Sequence, residues 1–233
     1  MQTKFAGSGR SLAVLGLLGL ALLLAASPSR AQLRLDITQG VRDAVPIAVV
    51  PFGGQVEGVA TDVAAVIAND LQMSGRFAPL ERRDLVARPT TGAEIRFEDW
   101  RLLKSDFIVV GRVEPDASGL TVGFELFNVR TGASLLAQRL PSTERGLRAT
   151  AHRIADLVFE RLTGVPGAFS TRIAYVTVNG RPPSQRFRLV VADADGFNPR
   201  TVMESTEPIM SPARSQDGQQ IAYLGHQEGE GAA

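Results

Sequence analysis

The chain has 233 residues, room for one large domain or two small ones, and its 44% hydrophobic and 21% charged content excludes wholesale disorder. It contains no cysteine, which excludes disulfides, thiolate metal centres, a cysteine nucleophile and a lipidated-cysteine anchor. The formal charge is only +1, from 23 arginines and two lysines against 24 acids, so no strongly basic surface for nucleic acid is implied.

Residues 1–31, MQTKFAGSGRSLAVLGLLGLALLLAASPSRA, have the three-part build of a secretory signal peptide. Lys4 and Arg10 give a positive start, and no acid precedes Asp36. The apolar run from Leu12 to Ala26 is short for a bilayer span, although an uncleaved anchor is the alternative reading. Ser29-Arg30-Ala31 then offers small residues at the third and first positions before a cut. Cleavage after Ala31 removes three basic residues and no acid, leaving 202 residues with a formal charge of −2. The expected product is a soluble protein of the bacterial periplasm, with no nucleic-acid partner.

Residues 32–45, QLRLDITQGVRDAV, open the mature chain. Leu33, Leu35 and Ile37 alternate with Arg34, Asp36 and Thr38, the period of a half-buried strand. Next to a free terminus such a strand can add to the sheet edge of another protein. By pattern alone, pairing within its own domain is the favoured option.

From Pro46 to Phe52 a continuous apolar run predicts a buried strand. A helix is predicted over 57–74, with Val59, Val63, Val66, Ile67 and Leu71 at helical spacing and Gly75 as its cap. FAPLERRDL reads as a short strand and turn, and 94–103, with Trp100, as a second helix. Strands come next at 107–113, 120–129 and 134–139, the last two joined through Arg130-Thr131-Gly132 as a hairpin. A last helix is predicted over 142–162, its apolar face formed by Leu147, Ala151, Ile154, Val158 and Leu162, and ended by Gly164. The order β-α-β-α-β-β-β-α over 46–165 predicts one α/β domain, a mixed sheet with packed helices.

After Pro166-Gly167 the pattern changes to short strands without a helical period, at 172–178, 186–192, 200–205 and 219–224. Asn179-Gly180, Asp195-Gly196 and Asp217-Gly218 between them are hairpin chemistry, and the spacing suggests propeller blades. Residues 166–233 thus predict an all-β part, the first blade and the start of a second. A blade buries its faces only against neighbours, so an incomplete array should expose apolar stretches such as Ile173–Tyr175 and Leu189–Val191.

Signs of catalysis are few. No HExxH, GxSxG or phosphate-loop pattern occurs, and no cofactor is implied. Of the two histidines, His152 stands beside the apolar face of the last helix, where a structural role is expected, and His226 lies in the tail. Asp193-Ala194-Asp195-Gly196 invites a calcium reading, but the glycine is fourth rather than sixth, and a hairpin turn fits better.

Three stretches carry a family resemblance. AHRIADLVFERLTGVPGAFSTRIAYV at 151–176, LDITQGVRDAVPIAVVPF at 35–52 and SPARSQDGQQIAYL at 211–224 resemble the TolB family. They are similar to its helix-to-propeller junction, its mature start and its propeller repeat respectively. Two residues depart from the usual repeat: Arg214 stands in place of tryptophan and Gln216 in place of proline. Since that tryptophan packs between blades, this unit should pack less well. The family carries a six-bladed propeller, so the chain reads as a truncated member with an incomplete β-propeller.

The resemblance implies a non-enzymatic periplasmic adaptor of the Tol-Pal system, held at the outer membrane only through its partners. Those partners are the TolA carboxy-terminal domain, bound through the amino-terminal segment, and Pal, bound in the full-length family through the propeller, mostly on blades that this sequence lacks. The residues matching the TolA-binding segment are Leu33, Arg34, Leu35, Asp36, Ile37 and Val41. Alternatives are a non-functional fragment, or the propeller remnant of a periplasmic hydrolase. The leader has a direct check: amino-terminal sequencing of periplasmic protein should start at Gln32, and a chain still beginning at Met1 would contradict export with cleavage.

Overall fold

The computed structural model describes residues 44–54, 61–117, 119–215 and 218–225. The expected leader and almost all of the segment expected to bind a partner, including Leu33 to Ile37 and Val41, lie outside them. A five-stranded sheet forms the first layer. Its strands are β1 (Val45–Val49), β2 (Phe77–Pro79), β3 (Phe107–Asp116), β4 (Gly119–Asn128) and β5 (Ser134–Ser142), in the spatial order β2-β1-β3-β4-β5. β1 runs parallel to both β2 and β3, while β3-β4 and β4-β5 are antiparallel, so the sheet is mixed as expected.

The apolar runs of β1 and β3 are continuous because both faces of these strands are covered. On one face Ile47, Val49, Val109, Val122, Phe124 and Leu126 meet two helices, α1 (Val63–Met73) and α3 (Leu147–Thr163). On the other, Ala48, Val50, Ile108 and Val110 lie under Trp100 and Ile95, brought there by α2 (Phe97–Leu102) and the chain before it. Gly111 in β3 has a packing reason. A Cβ at this position would drive into the Phe52 ring and the Gly123 carbonyl.

The helix ends obey local chemistry. Asp62 caps α1, its Oδ1 accepting from the Ala65 N–H at 3.0 Å, and Gly75 comes after it with φ +68°. Gly164 closes α3 with φ +74°, and its N–H donates to the Glu160 carbonyl. Both glycines sit where the sequence puts them.

Four expectations are corrected. The helix predicted over 57–74 starts at Val63, after Asp62 as its cap, and the part of the expectation that falls on residues 57–60 lies outside the described ones. The helix predicted over 94–103 is a 3₁₀ turn at Gly92–Glu94, then extended chain, then α2. Glu94 does not join the helix because its carboxylate accepts from the Thr90 N–H at 2.8 Å and from the hydroxyls of Thr90 and Thr91. The helix predicted from Ser142 starts at Leu147, because β5 continues to Ser142, which pairs with Leu120, before a turn closed by Gly146 N–H on Thr143 O. Finally, Leu189 and Val190 are buried, not exposed.

That burial comes from the second layer. β6 (Arg172–Asn179), β7 (Arg186–Asp193) and β8 (Arg200–Ser205) form a three-stranded antiparallel sheet in that order. β9 (Ile209–Arg214), which the strand pattern did not separate, pairs antiparallel with β10 (Ile221–Gly225), and β9 packs on β6 and β7. The outer apolar side chains remain exposed, among them Ile173, Val178, Val202, Met210 and Leu224, as expected of blades lacking neighbours. Arg214 does not take a tryptophan's place between sheets. Its guanidinium turns onto the β9–β10 loop and donates twice to the Gly218 carbonyl, at 2.7 and 3.1 Å.

Candidate functional site

Along α3, Arg148, His152 and Asp156 recur every four residues, so they form a polar stripe beside the apolar face of Leu147, Ala151, Ile154 and Val158. Each member of the stripe holds a different part of the chain, and together they join the two layers.

Arg148 reaches the turn after β7. One of its amino groups donates to Asp195 Oδ2, and its Nε lies 3.7 Å from Asp193 Oδ2. Its guanidinium carbon also stands 3.9 Å from the centroid of the Phe197 ring. Asp193 is shared with Arg172 of β6, whose Nε is 3.6 Å from Oδ1. The turn itself is built as a turn: Gly196 N–H donates to Asp193 O, and Phe197 N–H to Asp195 Oδ1. The hairpin reading of Asp193 to Gly196 is therefore the one the structure supports.

His152 faces inward to α1. Its Nδ1 lies 2.6 Å from Asp70 Oδ2, and both side chains are almost wholly buried, at 4% and 2% exposure. A carboxylate only accepts, so Nδ1 is the donor. Burial pushes the Asp70 carboxyl above its usual range despite the imidazole beside it. Burial works against the imidazolium of His152 too, but the hydrogen bond and charge of Asp70, with Asp195 beyond, lift its pKa above 6.5. The pair therefore holds its protons more tightly folded than unfolded.

Asp156 anchors the connection between the layers. Its two oxygens accept from the Phe169 N–H at 2.7 Å, the Ser170 N–H at 3.1 Å and the Ser170 hydroxyl. Gly167 passes so close that a Cβ there would strike the Asp156 side chain. Phe169 then inserts edge-on to Phe159 of α3, which meets Phe77 of β2 in the same way.

Asp70, His152 and Asp195 bring three potential ligand atoms within 4.8 Å of one another. Arg148 already stands as the cation beside Asp195, and His152 Nδ1 is engaged with Asp70. The arrangement is an ion-pair network joining three segments, not the open ligand set of a metal centre.

This joint lies at the seam between two family matches. The model described as the TolB amino-terminal domain matches residues 33–135, and the one described as the TolB beta propeller domain matches 159–232. The chain belongs to the TolB family. It is 44% identical over 216 residues to the Tol-Pal system protein TolB of Xylella fastidiosa, covering 91% of this chain and 49% of that protein. Against the TolB of Methylococcus capsulatus it is 43% identical over 203 residues, covering 87% and 48%. The crystal structure of TolB from Acinetobacter baumannii superposes with a TM-score of 0.68 at 36% identity, covering 77% of this chain and 43% of that one. The chain thus spans about half the length of the curated TolB relatives it matches.

Of the residues singled out from sequence, the structure brings His152, Asp193 and Asp195 into one network, while the residues expected to contact TolA fall outside the described ones. Sequence reasoning passed over Asp70, Arg148 and Asp156. Two signals were available: Asp70 sits four residues after Val66 on the buried side of α1, and the 148–152–156 stripe has helical spacing.

Because His152 has a raised pKa in the folded state, its contribution to stability is complete below pH 6.5 and is lost as pH rises through the raised value. The raised pKa of Asp70 acts in the same direction. Urea unfolding should therefore show stability falling as pH rises above 6.5, and Asp70→Asn, which removes the charge sustaining the imidazolium, should flatten that dependence. At pH 6, His152→Ala strands a buried carboxyl and should cost about 3 kcal/mol. A variant as stable as the native chain would contradict the pairing.

Proposed function

We propose that the chain is a non-enzymatic periplasmic adaptor of the Tol-Pal system. In this reading residues 1–31 are its cleaved leader, 32–45 a partner-binding segment, 46–165 the amino-terminal domain and 166–233 the beginning of the propeller. The segment takes the carboxy-terminal domain of TolA, while Pal is the partner of the full propeller, whose Pal surface lies mostly on blades beyond those in this sequence. Both contacts serve to keep the outer membrane attached and constricting at division. The observation that carries the reading is that TolB matches stand on both sides of the joint, the amino-terminal domain over 33–135 and the propeller over 159–232. The geometry is consistent with an adaptor. α3 holds the α/β layer, the connection and the first blade with a single polar stripe, so surfaces on either layer are carried in a fixed relation.

The TolA contact is strand addition. Leu33, Leu35 and Ile37 alternate with Arg34 and Asp36, so main-chain bonds give affinity while the apolar side chains, with Val41 beyond, give specificity. A short segment that orders on binding should bind with a Kd on the order of micromolar. Deletion of residues 32–43 should abolish heat exchange with the TolA carboxy-terminal domain in calorimetric titration while leaving the thermal melt nearly unchanged. Leu35→Asp should do the same without shortening the chain. Undiminished binding by both variants would refute this site, and a large drop in melting temperature would show that the segment belongs to the sheet.

A further inference from the structure

Beside the joint opens a cavity of about 230 Å³ whose lining includes Arg145 from the turn before α3, Arg148 and His152 from the start of α3, Arg172 and Asp193 from the blade, and Ser170 from the connection. The lining is rich in donors. Three guanidinium groups and an imidazole face one carboxylate, and Asp193 is already shared between Arg148 and Arg172. Arg145 stands exposed at the rim and has no ion-pair partner among the described residues.

Two buried nitrogens in the wall have no hydrogen-bond partner among the described residues. His152 spends Nδ1 on Asp70, so Nε2 carries a hydrogen to donate while the ring is imidazolium, below its raised pKa; this nitrogen is buried with no hydrogen-bond partner among the described residues. Arg148 Nε is likewise buried, with Asp193 at 3.7 Å, beyond hydrogen-bond reach. Buried polar atoms are nearly always satisfied in native proteins, and an unmet donor in a cationic wall calls for an acceptor that carries negative charge.

We infer that this cavity is a binding site for a small oxyanion, a phosphate or a carboxylate, held by His152 Nε2, Arg148 and Arg145. Arg145 at the rim captures the anion by charge, and the two buried donors orient it. The groups that set the charge on His152 are Asp70 from α1, Arg148 from α3 and Asp195 from the turn after β7. Loss of the His152 proton at high pH turns Nε2 from donor to acceptor, so the anion should bind more weakly there.

The test uses the full mature chain at pH 6 and at pH 8.5, with ionic strength held constant by chloride. Inorganic phosphate and acetate are titrated separately, and the midpoint of thermal unfolding is monitored. Arg145→Glu reverses the charge at the rim, and Arg83→Glu, on an exposed turn outside the cavity lining, serves as the charge-matched control. The expected result is a saturable rise of the midpoint in the native chain and in Arg83→Glu at pH 6. Half-saturation should require at least fivefold more anion in Arg145→Glu, and more anion at pH 8.5 than at pH 6. A response to phosphate identifies a free phosphate or phosphomonoester as the ligand type, and a response to acetate alone identifies a carboxylate. No saturable rise with either anion, or the same rise in Arg145→Glu as in Arg83→Glu, would overturn the site.

Discussion

The stripe of Arg148, His152 and Asp156 on α3 is the constraint on which the arrangement of the chain depends. Apolar burial holds α3 on the sheet, but burial is non-directional and would accept several placements of the chain beyond the helix. The polar stripe does not. His152 fixes α3 against α1 through Asp70, Asp156 fixes the first residues of the connection, and Arg148 fixes the turn after β7. Each contact is satisfied only when its segment is in place. Replacing a buried pair with apolar groups often leaves stability unchanged, whereas removing one partner is costly. We therefore read these pairs as setting orientation more than adding stability.

The two layers differ in how much they need this. The α/β layer has a core on each face of its sheet and helices to cover it. The blade has Leu189, Val190 and Ile209 buried, yet leaves Val178, Val202 and Met210 exposed. With a thinner core of its own, it takes its position from the charged turn that Arg148 grips and from the connection that Asp156 and Phe169 secure. The strand edges and apolar faces it leaves open are those a propeller covers with further blades.

Much of the fold was legible because its signals are local. The apolar runs of β1 and β3 announced strands buried on both faces, and Gly75 and Gly164 marked helix ends through the left-handed conformation they adopt. The order of elements in the α/β layer could be read from these signals. Boundaries failed where a side chain or a pairing partner intervened, as when Glu94 was drawn into a turn with Thr90 and when Ser142 paired with Leu120 instead of opening a helix. The joint was illegible for a different reason. Asp70 and His152 are 82 residues apart, and Arg148 and Asp195 47 apart, so nothing in either neighbourhood names the partner. The sequence does show a polar stripe with regular helical spacing, and it was the placement of Arg148 and Asp156 around His152 that went unread.

The most direct measurement is a double-mutant cycle between helix and blade, with Arg148→Met, Asp195→Asn and the combination compared by urea unfolding of the whole chain. If Arg148 and Asp195 join the layers, the two substitutions are strongly non-additive, with a coupling energy of about 1.5 kcal/mol or more. Effects that simply add, to within about 0.5 kcal/mol, would mean that the blade is not held by this helix and would contradict the joint.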